Sequence, residues 1–404
     1  MRALIAVAFV LSACVTNPPV ASRSPTAAPT ATATPTVAVS TTPTPSPSST
    51  AIPQNVRLAV VLADGGPPTP GALRLRLESD GAPFATLNGT GAVVSPDGTR
   101  IAYWSRPTGG TQATLRVLDP FSGNETDLAN VTATPTNTPG DIAWRDDAGG
   151  LVYAVRTPGP STSGVNPPAT TIFSTYVFAT RQVSEVKKID SSGSLIPLSW
   201  NLATHVIAAV ETGEGGVRQI YRFKEDGGGV GNTPSDERLH EVTDVTKDAR
   251  VILAQYGFFS GNRLFSGVRT VSATDTSPIA QHEAADGFLL RARFRPATGD
   301  VLALLRVGDP SRYVLEVWSG TDLSTVKRVW NGPPAPVASG DLVARIDGKA
   351  AYVRVDQTGS ALPLWQVVDL SSGTPAPVSF TNAVATGPWC SFYISDEGLA
   401  KLKK

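Results

Sequence analysis

The chain has 404 residues, of which 41% are apolar and 17% charged, a balance compatible with a large globular body. Its 34 basic and 34 acidic residues cancel, which argues against a nucleic-acid groove, since such a groove needs a basic excess to displace counterions. Two cysteines, Cys14 and Cys390, are too few for a disulfide framework, and 34 prolines with 37 glycines favour turns over long helices.

The N-terminus reads "MRALIAVAFVLSAC". One positive charge, Arg2, precedes an apolar run from Ala3 to Val10. That run is shorter than the roughly 20 residues a bilayer-spanning helix needs, and it has the proportions of a signal-peptide core. Leu11-Ser12-Ala13-Cys14 resembles the bacterial lipobox. The resemblance implies that residues 1–13 are removed and that Cys14, lipidated on sulfur, becomes the mature N-terminus. Several acyl chains on one residue hold stably where a single chain is marginal. The alternative is an ordinary secretory signal with an incidental cysteine. The expected location is the extracytoplasmic face of the cell membrane, anchored through lipid on Cys14.

Residues 14–55 are rich in Pro, Thr, Ser and Ala, with Arg23 their one charge. Too little apolar surface is present to offset ordering entropy, so a disordered tether is expected. Extended as polyproline II, such a segment reaches about 120 Å. Its Ser and Thr residues permit O-glycosylation.

From residue 56 the pattern changes. In "VVSPDGTRIAYWS", at 93–105, two apolar runs flank Pro96-Asp97-Gly98, whose glycine suits the positive φ of a tight hairpin. Similar two-strand units start near 141, 197, 242, 291 and 341, with turns near Gly149, Thr204, Ala249, Gly299 and Gly348. Each unit is followed by a second strand pair, as in "YVLEVWSGTDLSTVKRVW" at 313–330. Four strands repeated at this spacing make one propeller blade. The copy "SPDGTRIAY" resembles repeats of the TolB-like, WD40-related (PD40) propeller family. The expectation is therefore an all-β protein, a bacterial lipoprotein whose residues 56–396 form a β-propeller of four-stranded antiparallel blades, with a C-terminal tail at 397–404. The resemblance implies a place beside proteins of the cell envelope.

Six complete units are present. Before them, "VRLAVVLAD", "ALRLRLES" and "PFATL" give three strands lacking an innermost one. After them, "WCSFYISD" at 389–396 gives one strand lacking a blade. Joining the two ends completes a seventh blade and removes open edges, so seven blades are favoured over six.

Catalytic and metal signatures are missing. His205, His240 and His282 are not at metal-ligand spacing, and "HEAADG" lacks the second histidine of a zinc helix. There is no G-x-S-x-G elbow. "SPDGT" has its glycine one place early for the Asp box of sialidase-type propellers. "EDGGGVGN" reads as a surface loop, Asp146-Asp147 as a solvated turn and Cys390 as a buried strand thiol. No cofactor, metal or catalytic residue is assigned.

For binding, Phe258 and Phe259 stand beside Ser260-Gly261-Asn262, and on an exposed turn they would form a contact. Packing between blades is the competing reading. The insert at 156–171 is long for a hairpin. Two functions remain: a binding or scaffolding module for envelope proteins, or a carbohydrate or small-ligand binder, or enzyme, using the central channel. The second predicts carboxylates, arginines or aromatics at the channel. The protein is expected to be a monomer.

Overall fold

The computed structural model describes residues 55–65, 72–105, 111–132, 138–157, 159, 168–234, 239–260, 263–285, 287–336, 339–356, 363–380 and 383–403. All of them lie within the compact unit Ser49–Lys404. The expected signal peptide at 1–13, Cys14 and the expected tether up to residue 54 lie outside the described residues.

Seven antiparallel sheets follow one another along the chain. Blade 1 spans residues 89–132, blade 2 138–191, blade 3 194–234, blade 4 239–283, blade 5 287–334 and blade 6 340–378. In each, four strands pair in sequence order, the first being innermost. Blade 7 is closed from both ends of the propeller. Val56–Asp64, Leu73–Leu77 and Pro83–Leu87 are its three outer strands, and Ala383–Ala385 with Ser391–Ser395 supply the innermost one. Val60 pairs with Ser391 and Leu62 with Ala385. The seven-bladed closure expected from the sequence is present. The short strand Ala383–Ala385 was not foreseen, because its "AVATGP" reads as turn rather than strand.

The first hairpin of each of blades 1 to 6 turns on a residue with positive φ. Gly98, Gly299 and Gly348 fill that place with glycine, at 74°, 75° and 67°. In blades 2, 3 and 4 the place falls to Ala148, His205 and Ala249, at 57°, 57° and 54°. Two turns thus sit one residue away from the Gly149 and Thr204 expected. A preceding aspartate explains how alanine tolerates it. Asp147 Oδ1 accepts from Gly149 N at 2.8 Å, just as Asp347 accepts from Lys349 N at 2.9 Å, so an Asx turn fixes the backbone locally.

Adjacent blades bury apolar faces against each other, with tryptophans as the largest pieces. Their indole N–H groups bond across the seams: Trp104 Nε1 to Gly140 O at 2.7 Å, Trp144 Nε1 to Val93 O at 3.0 Å and Trp365 Nε1 to Ala383 O at 3.1 Å. Buried arginines join seams too, as where Arg222 Nε donates to Ser272 O at 2.9 Å.

The stretch expected as a tail begins with a helix, Asp396–Leu402. Ser395 caps it, accepting from Gly398 N, and its hydroxyl also donates to Phe121 O in blade 1. Arg57 pairs with Asp396 at 2.8 Å. The helix therefore bridges blade 7 to the outer turn of blade 1.

Candidate functional site: the central channel

The innermost strands surround a channel. Counted back from each first-hairpin turn, one position on these strands is Val93, Ala143, Ser199, Asp244, Arg293 and Val343. The position two residues earlier carries Asp141, Val242, Arg291 and Asp341. Polar side chains thus interrupt apolar strands at matching places in different blades.

One side of the channel is charge-paired. Arg291 Nη1 donates to Glu241 Oε2 at 2.6 Å, and its Nε lies 3.8 Å from Asp341 Oδ1. Asp341 accepts from the backbone of Leu342 and, at 3.3 Å, of Ala385. Arg293 is buried and donates to the carbonyls of Thr243, Ala292 and Leu342, linking blades 4, 5 and 6.

The other side opens into a cavity of ≈ 180 Å³ between blades 1 to 4 and the link Thr386–Trp389 of blade 7. Pro96, Asp146 and Lys247 place one end of it among the first-hairpin turns. Its walls are mainly apolar, with Ile196, Leu198, Val242 and Pro388 beside Trp144 and the half-buried Trp389. Three carboxylates line it. Asp141 is open to the cavity's water but ringed by protein, and this desolvation raises its pKa, partly offset by a bond from its own backbone amide. Asp146 is also raised by desolvation, against bonds from Leu202 N at 3.0 Å and Asn201 Nδ2 at 3.3 Å. Asp244 is fully enclosed, and burial raises it to about 7 despite Arg293 and the amides of Val245 and Phe294. Ser199, 3% exposed, lines the same cavity, and its hydroxyl has no hydrogen-bond partner. Leaving such a group unpaired costs about 1–3 kcal/mol.

Asp146 and Asp147 diverge, for Asp147 turns away to take Arg145 at 2.6 and 2.9 Å. Among the described residues no three potential ligands lie close enough to hold a metal ion. The histidines are apart: His205 meets Glu225 at 2.8 Å, and His282 packs on Trp318 at 4.5 Å. Cys390 is buried in the link, its thiol donating to Gly387 O at 2.9 Å.

Phe258 is not on a turn. It belongs to the strand Val251–Ser260, half-buried, stacked on Phe265 at 5.1 Å and on Tyr256 at 6.2 Å. Pairing with the strand Arg263–Ser272 extends this hairpin further than the aromatic pair suggested. The side chain of Phe259 and most of the 156–171 insert lie outside the described residues.

No family model matches the sequence, and no curated protein matches it. Solved structures do. The chain is similar to the periplasmic gluconolactonase of Pseudomonas aeruginosa, at 14% identity over 84% of this chain and 99% of that one, with a TM-score of 0.52. It is equally similar to a candidate 6-phosphogluconolactonase of Bacteroides uniformis, at 14% identity over 84% and 99%, with a TM-score of 0.51. A prolyl endopeptidase aligns at 13% identity over 80% of this chain, which spans 49% of that protein's length, with a TM-score of 0.46. At such identities it is the architecture that is shared, and the chain is a seven-bladed β-propeller.

Proposed function

We propose that the protein is a lipid-anchored, extracytoplasmic binding protein that takes its ligand into the central channel. The observation that carries this reading is the cavity itself. Carboxylates and tryptophans line it among apolar walls, as in ligand sites generally. The channel is neither purely apolar nor filled by side chains on that side. The rim offers less. Among the described residues the large exposed apolar side chains are Val183, Val230, Ile279 and Val326, one on the outermost strand of each of four blades. Single apolar residues of this kind are ordinary surface. The anchor rests on Leu11-Ser12-Ala13-Cys14.

Two measurements test the two halves. The Cys14 peptide should carry acyl mass, and Cys14→Ser should move the protein from detergent to aqueous phase; an unmodified peptide in a detergent-soluble protein would remove the anchor. A thermal-shift screen of small compounds should yield a stabilising ligand, and Val242→Phe, which fills the cavity, should abolish the shift. A ligand that stabilises both proteins alike does not bind in the channel.

A further inference from the structure

The two sides of the channel differ in how charge is balanced. On one side Glu241 and Asp341 meet Arg291, and Arg293 gives its bonds to backbone carbonyls. On the cavity side Asp141, Asp146 and the enclosed Asp244 border a space whose one lysine, Lys247, is exposed among the turns. Desolvation raises all three carboxylates, so a cation beside one of them relieves part of the cost of its burial. Ser199 borders the same space, but its hydroxyl oxygen is closed off from it.

The shape of the walls narrows the chemistry. A sugar presents hydroxyls on every edge and needs polar partners all round. Here polar groups stand at a few points among Ile196, Leu198, Val242, Pro388 and Trp389. A bare metal ion needs ligands gathered within bonding distance, and the described residues gather none. An organic cation on a short apolar body fits both features, because tryptophan faces and carboxylates attract the same ligand charge.

We propose that this cavity binds a small organic cation, an amine on a short apolar or aromatic body, with Asp141 holding the ammonium and Trp389 covering the body. The proposal rests on the reading that the channel is the binding site, and it names the ligand class of that site.

The test is calorimetric titration of the full-length protein with benzylammonium, benzyl alcohol and D-glucose, repeated on Asp141→Asn and Ser199→Ala. Thermal unfolding of each variant checks that it is folded. Benzylammonium should bind at least about tenfold tighter than benzyl alcohol. Asp141→Asn should weaken it by about 10- to 100-fold, with benzyl alcohol little affected, while Ser199→Ala, which removes a hydroxyl closed off from the cavity, should leave it unchanged. Equal binding of the amine and the alcohol, or an amine affinity untouched by Asp141→Asn, would overturn the assignment of a cation. Glucose binding in place of the amine would overturn it too, while leaving the channel as the binding site. If no probe binds, and the tryptophan fluorescence of the wild type responds to none, the cation assignment fails. If the compound screen and its Val242→Phe control also fail, the channel reading falls with it.

Discussion

The carboxylate of Asp244, on the innermost strand of blade 4, accepts the backbone N–H of Phe294 in blade 5 at 2.7 Å. A titratable group thus holds a seam between neighbouring blades at the channel wall. Its pKa, raised by burial to about 7, lies above its value in the unfolded chain. The folded state therefore binds the proton more tightly than the unfolded one, and stability falls as pH rises between about 4 and 7, then levels. Integrated over that window the loss is roughly 4 kcal/mol. Urea midpoints measured from pH 4 to pH 8 should show this slope in the wild type and a much flatter one in Asp244→Asn. An identical slope in both would locate the titration elsewhere.

Blades 6 and 7 are joined by Glu78, which takes Arg345 Nη1 at 3.0 Å on one oxygen and the hydroxyl of Tyr352 on the other. Arg345 keeps Asp347 as a second partner at 2.8 and 2.9 Å, so losing Glu78 does not strand its charge. The buried tyrosine hydroxyl is the group left short. Glu78→Ala should cost about 2 kcal/mol, and Glu78→Gln less, in chemical unfolding. No difference between Glu78→Ala and wild type would mean that this seam is held by its apolar contacts.

Gly398 in the C-terminal helix lies against the backbone of blade 1. A Cβ there would overlap the carbonyl oxygen of Pro120, so Gly398→Ala must push the helix off its site. The expected loss is about 1–3 kcal/mol, with faster proteolysis at the C-terminal end as the sign of undocking. Retention of wild-type stability would show that the helix can shift without loss.

The hairpin turns make opposite predictions for similar-looking positions. Ala249 holds a φ of 54°, which glycine adopts freely, so Ala249→Gly should leave stability unchanged or raise it by up to about 1 kcal/mol. Gly98 has the same conformation, but a Cβ would come within 2.7 Å of Ile346 and 3.1 Å of Tyr393. Gly98→Ala should therefore cost more than conformation alone implies. Denaturation midpoints of the two variants should move apart, and movement in the same direction would refute the packing argument.

The blades were legible because alternation and the Asp-Gly hairpin recur along the chain, and "SPDGTRIAY" shows both at once. Asp147-Ala148 hid the same turn behind the neighbouring Gly149. The channel residues were missed for a different reason. Asp141, Ser199 and Asp244 are ordinary letters in isolation. They become informative only when the strands are superposed on their turns, which shows Ser199 and Asp244 where Val93, Ala143 and Val343 stand in other blades, and Asp141 where Val242 stands. Phe258 carried two readings, contact on an exposed turn or packing, and only the structure shows it half-buried on its strand and stacked on Tyr256 and Phe265. Trp389 lies beyond such reasoning, since it reaches the channel from the irregular link that joins the two halves of the closing strand.

That closing strand also sets an order of events. Arg57 and Asp396 are paired across 339 positions of sequence. During synthesis from the N-terminal end, the outer three strands of blade 7 emerge first, and the strand that completes them emerges after six other blades. Until then their inner edge stays open, and the loop to be closed carries nearly its full entropic cost. The ring is consequently a record of chain completion: a product truncated before residue 383 retains six finished blades and a seventh with an unmet edge, a form that proteases and chaperones can tell apart from the finished protein.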